Sequence, residues 1–358
     1  MSRRLRLLEF SNQWELGGTE KSAELFMKYL DRSRFELLAA GWRGGERAPA
    51  IRALGIELHL EADPRSMADW IRSQSIDIVH FHRAGVTDTV LIDTFVAAGV
   101  PCLVEHNIFA QFDPSPDRLR IQRHIFVSDT SCAFYRQRCT GPVEKGRLAR
   151  IYNPVEITEF DRFDWPSRRW EAPIFGRLSR ADELKWHPIN IEILPHVRQA
   201  VPRARFFVIG LPPAYRARIE QLGVTDMVTE FPPTLSLDQI ASFLSELTVF
   251  THGSAIGETF GMGIAEAMAA HLPVITHTGG DGAQCELITD GHNGFVVDPK
   301  DVASYAERLI RLLKDPELKE ILGQRSYERA RSQFDARQVT RELEATLLEA
   351  YRETVDHP

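Results

Sequence analysis

The chain has 358 residues, of which 43% are hydrophobic and 26% are charged. These fractions are ordinary for a folded globular protein and exclude a disordered chain. A single hydrophobic core seldom grows beyond about 250 to 300 residues, so the length predicts two domains. The formal net charge of -7 argues against a general nucleic-acid-binding protein, because such proteins need a surplus of clustered Lys and Arg.

Cysteine spacing and hydropathy give the expected compartment. The four cysteines include no Cys-x-x-Cys pair and have no regular spacing, which argues against a disulfide framework or a cysteine-based zinc site. Residues 1–10 have only a short apolar run, so they are typical of a first strand rather than a signal peptide. No segment has about twenty uninterrupted apolar residues. We therefore expect a cytoplasmic protein, and the arginines Arg3, Arg4 and Arg6 leave weak peripheral membrane contact open.

Short apolar or β-branched runs alternate with helical patterns along the chain, which is typical of parallel sheets covered by helices. The strands predicted in the first half are residues 5–10, 35–41, 56–60, 76–81, 101–105 and 124–128. Those predicted in the second half are residues 173–176, 205–210, 228–231, 247–252, 273–276 and 294–297. Helices are predicted over residues 302–355, with one break near Asp315.

The segment 161–171 is charged and rich in Trp, and it interrupts this alternation. We therefore place the domain junction there and predict an α/β fold with two Rossmann-like, doubly wound domains. The first domain is predicted over residues 1–165 and the second over residues 166–335. A C-terminal helix over residues 336–358 follows, and packing of this helix back onto the first domain is one alternative.

Two glutamates flank the start of a predicted helix within residues 254–269. Glu258 precedes the helix, and Glu266 lies about two turns inside it. Glycines between them allow the backbone to approach a ligand, and the N–H groups of the helix start attract anions. An ionised carboxylate can accept hydrogen bonds from two neighbouring sugar hydroxyls. The pattern therefore predicts that each glutamate binds one sugar ring, and the alternative is that both only stabilise a solvated helix.

This stretch resembles the Glu-x7-Glu signature of the retaining GT-B glycosyltransferases known as glycosyltransferase family 4, or glycosyl transferases group 1. The resemblance includes Phe260-Gly261 and the sequence Glu-Ala-Met-Ala that begins at Glu266. It implies that Glu258 contacts the donor sugar, that Glu266 contacts the ribose hydroxyls, and that Phe260 and Gly261 also line the donor site. It further implies two domains that face each other across a cleft, with the acceptor bound by the first domain and the donor by the second.

Arg177 and Lys185 follow the first predicted strand of the second half. An Arg and a Lys at one strand end can flank a pyrophosphate and stabilise the charge of a leaving group. Taken alone, such residues are usually solvated. The resemblance implies that they clamp the leaving group, although relatives have a shorter spacing and a Gly where this chain has Trp186. Arg180 competes with Lys185 for this role.

Paired glycines occur twice at strand ends, as Gly17-Gly18 and as Gly279-Gly280. Main-chain N–H groups in such loops can point at phosphate oxygens, and the alternative is an ordinary turn. The resemblance implies that both loops contact the donor. The second loop departs from the family's usual Gly-Gly-x-Pro-Glu order, which leaves the donor preference open.

Histidines occur at two predicted strand ends of the first half. His106 lies at the edge of the sheet where parallel strands bind ligands, and the resemblance implies that it contacts the donor sugar and supports the transition state; the alternative is a capping histidine. His80 and His82 share one face of a strand and would supply half of a metal site, but spacing shows no third ligand. The chain also lacks the Asp-x-Asp motif of the metal-dependent GT-A transferases. We therefore expect no metal ligands and no cofactor.

These observations together indicate a retaining, metal-independent hexosyltransferase of glycan or glycoconjugate biosynthesis. Its partners would be a nucleotide diphosphate sugar and an acceptor, which could be a lipid, a polysaccharide, a natural product or a small metabolite, and no nucleic acid. One alternative is a nucleotide-sugar-binding protein without turnover. The other is an NAD(P)-dependent oxidoreductase, suggested by Gly261-x-Gly263 but disfavoured because Glu266 stands where the dinucleotide fingerprint has Gly or Ala.

Overall fold

The computed structural model describes residues 3–139, 147–165, 167–280 and 282–356. It divides the chain into two compact units, one of Met1–Pro154 with Ala336–Pro358 and one of Val155–Asp335. Each unit is built around one parallel sheet. The predicted α/β class with two doubly wound sheets is therefore confirmed.

The strands of the first unit are β1 (Leu5–Ser11), β2 (Phe35–Gly41), β3 (Glu57–Leu60), β4 (Ile78–Arg83), β5 (Cys102–Asn107), β6 (Arg123–Phe126) and β7 (Leu148–Arg150). They form a parallel sheet in the order β3-β2-β1-β4-β5-β6-β7. Helices lie between them, as α1 (Gly18–Tyr29), α2 (Ala48–Ala53), α3 (Pro64–Ser73), α4 (Thr89–Ala97) and α5 (Asp129–Arg138), with a 3-10 helix at Pro116–Arg120. The chain changes its direction of winding between β1 and β4, so ligand-binding residues are expected at the carboxyl ends of these strands.

The second unit begins with α6 (Ile157–Phe160), and its strands are β8 (Ile174–Leu178), β9 (Arg205–Ile209), β10 (Val228–Phe231), β11 (Val249–Thr251), β12 (Val274–His277) and β13 (Gly294–Val297). Its other helices are α7 (Ile189–Glu192), α8 (Leu194–Ala200), α9 (Pro213–Gln221), α10 (Leu237–Glu246), α11 (Met262–Ala269), α12 (Gln284–Leu287), α13 (Val302–Lys314) and α14 (Pro316–Gln333). Short 3-10 helices lie at Glu183–Lys185 and Thr225–Met227. The parallel sheet has the order β10-β9-β8-β11-β12-β13, so its winding reverses between β8 and β11.

Aspartates begin several of these helices. Asp63 accepts a hydrogen bond from the backbone N–H of Ser66 at 2.8 Å, and Asp301 accepts one from Ser304 at 2.8 Å. Asp315 does the same for α14 at 2.9 Å. Such caps satisfy backbone donors that have no partner inside the helix, and Asp315 thereby fixes the predicted break between α13 and α14.

The central strand of the first unit is buried on both faces. Leu8 and Phe10 join the apolar cluster that includes Phe95 of α4. Leu7 faces the opposite side and joins a cluster with Phe26 of α1. Because strand side chains alternate, Glu9 shares the face of Leu7 and lies beneath α1 with 1% of its surface exposed.

The last helix, α15 (Ala336–Asp356), returns to the first unit. Val339, Leu343 and Leu347 are fully buried in the same cluster as Leu7. Arg123 of β6 also donates two hydrogen bonds, of 2.8 and 2.6 Å, to the Glu353 carboxylate. The terminal helix is therefore part of the core of the first unit.

The unit boundary lies between Pro154 and Val155, eleven residues before the predicted boundary at 165/166; residue 166 lies outside the described residues. The Val155 backbone N–H donates to the Phe334 carbonyl at 2.8 Å, which holds this segment in the second unit. Trp165 is buried there, and its indole N–H donates to the Phe160 carbonyl at 2.7 Å. The Trp-rich composition that predicted a junction instead reflects core packing.

The sequence patterns missed one strand of the first unit. Strand β7 has three residues, too few for a recognisable alternation. A helix break at Phe334 separates α14 from α15, which begins at Ala336, the start predicted for the C-terminal helix. No helix of the described residues is both long enough and apolar enough to cross a membrane.

The substitution Leu343→Ala tests the contribution of α15 to the first unit. We expect it to lower the free energy of unfolding by about 2 to 5 kcal/mol, because it leaves a cavity in a fully buried cluster. Urea unfolding followed by circular dichroism measures the change. Arg341→Ala, at an exposed position of the same helix, is the control and should change stability by less than about 0.5 kcal/mol. Equal stability of the two variants would contradict the assignment of α15 to the core.

Candidate functional site

The predicted site residues Glu258 and Lys185 form an ion pair in the second unit. Lys185 Nζ lies 2.9 Å from Glu258 Oε2, and His252 Nε2 lies 3.3 Å from Glu258 Oε1. Lys185 is in the 3-10 helix after β8, whereas His252 and Glu258 lie in the loop between β11 and α11. The reversal of winding between β8 and β11 brings these segments together.

The Glu258 carboxylate is held in its ionised form. Burial raises its pKa, but the hydrogen bond from His252 and the charge of Lys185 outweigh burial and lower the pKa to about 2. A carboxylate of this kind acts only as a hydrogen-bond acceptor near neutral pH. It is therefore suited to bind hydroxyl groups.

His252 is a neutral imidazole that supports Glu258. Burial is the main cause that lowers its pKa to about 4, and the Arg177 charge adds to that effect against the opposing influence of Glu258. Its Nδ1 lies 3.1 Å from the Thr276 hydroxyl oxygen. With its proton on Nε2, His252 donates to Glu258 and accepts from Thr276, so both ring nitrogens have partners.

The side chain of Gln284 connects two loops of this site. Its Oε1 accepts a hydrogen bond of 3.0 Å from the Glu258 backbone N–H. Its Nε2 donates to the carbonyl oxygens of His277 and Gly279 at 3.0 and 2.9 Å. Gln284 is fully buried, so it fixes the Glu258 loop against the Gly279-Gly280 loop.

Arg177 lies within β8 and is 1% exposed. Its Nη2 donates to the Lys185 carbonyl oxygen, and its guanidinium carbon is 4.7 Å from the centroid of the Trp186 ring. Burial lowers the pKa of Arg177 to about 10, so the group remains cationic at neutral pH. Its Nε and Nη1 have no hydrogen-bond partner among the described residues. This buried cation therefore positions Lys185 and keeps two donor groups available.

The glycines of the two loops have conformations that other residues rarely adopt. Gly261, with φ 102°, is the N-cap of α11, and Gly279 has φ 103°. Gly280 has φ 61°, and a Cβ there would lie 2.3 Å from the Ile256 carbonyl oxygen. Gly280 is therefore needed for the close approach of its loop to the segment before Glu258.

Two further predicted donor-site residues lie deeper in the second unit. The Phe260 ring is 1% exposed and packs edge to face on Phe334, with ring centroids 5.2 Å apart, so the structure gives it a packing role. Glu266 lies in α11 and is 4% exposed. Its role in ribose binding stays a prediction.

The other predicted residues belong to the first unit. Gly17 is the N-cap of α1 and Gly18 its first residue, as expected for a strand-to-helix loop. His106 lies inside β5 rather than after it, is fully buried, and has the Phe26 ring 5.8 Å away. Burial lowers the pKa of His106 well below its usual value. Its predicted contact with a donor sugar is not tested by this geometry and stays a prediction.

Sequence reasoning missed His252, Thr276 and Gln284 as parts of the site. His252 and Thr276 end predicted strands of one sheet, and that shared edge was the available signal. Gln284 gave no signal, because a Gln in a loop is usually solvated. In the first unit the sequence reasoning also missed Glu9, a carboxylate inside an apolar strand.

A comparison with known protein families gives a match to the second unit. Residues 159–329 match the family model of the glycosyl transferases group 1. The match covers most of the second unit, Val155–Asp335. The matched residues include the ion pair of Lys185 and Glu258, the loop of Gly261, and the loop of Gly279 and Gly280.

Curated relatives match over part of their length. The sulfoquinovosyl transferase of Arabidopsis thaliana is 32% identical over 200 residues, which is 56% of this chain and 38% of the relative. The D-inositol 3-phosphate glycosyltransferase of Streptomyces bingchenggensis is 30% identical over 163 residues, or 42% of this chain and 34% of the relative. The matched segment thus spans between a third and two fifths of these relatives.

Solved structures match the chain as a whole. Anabaena HepE, crystallised with UDP and glucose, has a TM-score of 0.77 at 18% identity, covering 97% of this chain and all of that chain. A glycosyltransferase of Rickettsia africae has a TM-score of 0.77 at 15% identity and covers both chains completely. These similarities establish the fold, and the predicted GT-B class is confirmed.

The substitution Gln284→Ala tests the connection between the two loops. We expect it to lower the free energy of unfolding by about 1 to 3 kcal/mol, because it leaves buried backbone groups without partners. Hydrogen exchange measured by mass spectrometry should rise at Glu258 and at residues 277–280. Gln324→Ala, at an exposed position of α14, should change neither quantity. Unchanged exchange in Gln284→Ala would show that the loops hold without this side chain.

The pKa of His252 predicts a pH-dependent stability. An unfolded His binds its proton near pH 6.5, whereas folded His252 binds it at about 4. The unfolded state therefore holds more protons between these values, and stability falls as the pH falls from 6.5 towards 4. For His252 the full effect is on the order of 3 kcal/mol. Glu258 contributes only at lower pH, below about 4.5.

Urea unfolding at several values between pH 4.5 and 7 measures this effect. His252→Gln should lose part of the slope, because Gln can bond Glu258 and Thr276 but does not titrate. His196→Gln, at an exposed position of α8, should retain the wild-type slope. An unchanged slope in His252→Gln would contradict the buried neutral imidazole.

Proposed function

We propose that this protein is a retaining glycosyltransferase that transfers a sugar from a nucleotide diphosphate sugar to an acceptor hydroxyl without a metal ion. One observation carries the proposal. Within the residues that match the glycosyl transferases group 1 model, an ionised Glu258 faces Lys185 beside the buried cation Arg177. A hydroxyl-binding carboxylate and a phosphate-binding pair of cations thus lie together in one unit.

The donor class is supported by the charge arrangement and by the structural neighbours. Solved structures of Anabaena HepE hold UDP and UDP-glucose. In this chain, Lys185 and the Nε and Nη1 donors of Arg177 are suited to the oxygens of a diphosphate. The bound phosphate would compete with Glu258 for Lys185, which frees the carboxylate for sugar hydroxyls.

The proposed reaction takes place on one face of the sugar. The bond between the anomeric carbon and the diphosphate oxygen breaks, and the acceptor oxygen forms the new bond from the same side. The departing phosphate takes the acceptor proton, while Arg177 and Lys185 stabilise the negative charge that remains. Glu258 holds the sugar hydroxyls, and His252 keeps Glu258 ionised and oriented.

The nucleoside and the loops complete the proposed donor site. Glu266 in α11 would accept hydrogen bonds from the ribose hydroxyls, and backbone N–H groups near Gly279 and Gly280 would bind phosphate. The donor contact predicted for Gly17 and Gly18, at the start of α1, stays a prediction. The predicted contact of His106 with the donor sugar is not needed for this proposal and stays a prediction.

A thermal-shift panel of nucleoside diphosphates and nucleotide sugars tests the donor. A ligand that binds the folded state raises the melting temperature with the logarithm of its concentration over its dissociation constant. We expect one base and one sugar to give the largest shift, and the same shift with and without EDTA. Loss of that shift in EDTA would contradict metal independence, and absence of any shift would contradict donor binding.

Substitutions at the ion pair test the assigned roles. Glu258→Ala should lower the rate of sugar transfer, or of the slow hydrolysis of the donor, at least about 100-fold. A decrease of this size is typical for the loss of one transition-state contact. Lys185→Ala should lower turnover similarly and weaken diphosphate binding, whereas Arg180→Ala should retain activity. Glu266→Ala should weaken the binding of the free nucleoside diphosphate.

The matched control is Arg198→Ala, which removes an exposed Arg paired with Asp226 on the same unit. Its activity and binding should equal those of the wild type. Donor binding without hydrolysis or transfer in the wild type would instead favour a nucleotide-sugar-binding protein. Wild-type activity in Glu258→Ala would remove the basis of the proposed mechanism.

A further inference from the structure

Three histidines and a glutamate form a buried cluster in the first unit. In the sheet register His80 of β4 lies opposite Glu9 of β1, and His82 of β4 lies opposite His106 of β5. All four point to the face covered by α1, where the Phe26 ring lies 6.1 Å from the His80 ring and 5.8 Å from the His106 ring. None of the four side chains is more than 3% exposed.

Glu9 binds two of the imidazoles at once. Its Oε2 lies 2.9 Å from His80 Nδ1, and its Oε1 lies 2.6 Å from His82 Nε2. Burial raises the pKa of Glu9, but the two histidines outweigh burial and leave the pKa below its usual value. An ionised carboxylate can only accept, so each histidine donates the N–H that faces it. When both rings are neutral, the opposite ring nitrogens, His80 Nε2 and His82 Nδ1, carry lone pairs.

The third histidine brings another nitrogen to these lone pairs. His106 Nδ1 lies 3.3 Å from His80 Nε2, and candidate ligand atoms of the three histidines all lie within 4.8 Å of one another. Two imidazole nitrogens bound to one tetrahedral zinc ion at about 2.0 to 2.1 Å are about 3.3 Å apart. The spacing thus fits two ligands of a single ion.

His82 Nδ1, on the side of the cluster away from Glu9, is buried without a hydrogen-bond partner among the described residues. His106 Nε2 also lacks such a partner, and it would carry the ring proton when Nδ1 binds the ion. Buried polar atoms nearly always have a partner, which can be protein, water or an ion. The three histidine side chains are at most 3% exposed. A site this closed to solvent suits a small ion better than a sugar.

The charges of the cluster favour a cation. The ion-pair partners of Glu9 among the described residues are His80 and His82 alone. A buried carboxylate needs a compensating positive charge, and a divalent ion among the three rings would supply it.

We propose that His80, His82 and His106 bind one divalent transition-metal ion of the zinc type, with Glu9 orienting two of the ligands. A carboxylate that accepts the outer N–H of a metal-binding histidine fixes its tautomer and increases its basicity. The ion would join β4 and β5 directly and β1 through Glu9, which gives it a structural role in the first unit. All four residues belong to the first unit, and the metal readouts below need neither donor nor acceptor, so this proposal is tested separately from the proposed function.

Metal content of the purified full chain tests the proposal. The protein carries no polyhistidine tag and is dialysed against a chelator at pH 7, and metals are then quantified by inductively coupled plasma mass spectrometry. We expect about one zinc ion per chain, as for a buried three-histidine site. After refolding with Co²⁺, the visible absorption of tetrahedral cobalt should appear. These readouts require no transferase activity.

Variants assign the ligands. His82→Gln and His80→Gln should lose the bound ion. The control is His59→Gln, which replaces a half-buried histidine of β3 that stacks on Trp70 and should retain the ion. Glu9→Gln keeps all three ligands and should weaken the affinity for the metal ion about 10- to 100-fold. This is the usual effect of losing the carboxylate that accepts a hydrogen bond from a metal-binding histidine. Circular dichroism checks that each variant is folded.

The wild type alone can overturn the proposal. If it holds no metal above the protein-free buffer, both as purified and after refolding with equimolar Zn²⁺ or Co²⁺, the site does not exist. The 3.3 Å contact between His106 and His80 is then an ordinary N–H to N hydrogen bond. Failure of this test leaves the donor-binding results unaffected, and failure of donor binding leaves the metal result unaffected.

Discussion

The ion pair between Lys185 and Glu258 organises the second unit around its site. It joins the segment after β8 to the segment after β11, where the sheet reverses its winding. Arg177 donates a hydrogen bond to the backbone carbonyl oxygen of Lys185, and the Gln284 side chain accepts one from the backbone N–H of Glu258. Opposite charges are therefore kept a few ångströms apart by separate, rigid supports. This arrangement is suited to a substrate that carries both hydroxyls and phosphates.

The two units use the same sheet architecture for different chemistry. In the second unit the carboxyl ends of the central strands hold cations and a carboxylate with partial exposure, as for Lys185 and Glu258. In the first unit the matching strands hold Glu9, His80 and His82 in a sealed interior. The parallel fold determines where polar residues meet. The degree of burial then determines whether a soluble substrate or a bound ion suits the site.

Much of the fold could be predicted from the sequence, because buried parallel strands are short apolar runs and the helices between them are periodic. Glu258 and Lys185 were predictable from their motifs, and the structure brings them together. Gln284 and the cluster of Glu9 with three histidines were not, since these contacts join distant segments and depend on strand register. The predicted domain boundary at residues 165/166 was wrong for a similar reason. The Trp-rich composition that suggested a junction reflects the burial of Trp165 in the second unit.

The return of α15 to the first unit makes that unit discontinuous in the chain. The second unit is a single uninterrupted stretch, Val155–Asp335, enclosed between the two parts of the first. During synthesis on the ribosome, the enclosed unit can therefore complete its sheet while its neighbour still lacks a core helix. Until Val339, Leu343 and Leu347 emerge, the apolar face beside Leu7 and Phe26 has no cover. Apolar surface of this kind favours aggregation while it is exposed, so this chain order makes the last helix the step that ends the exposure.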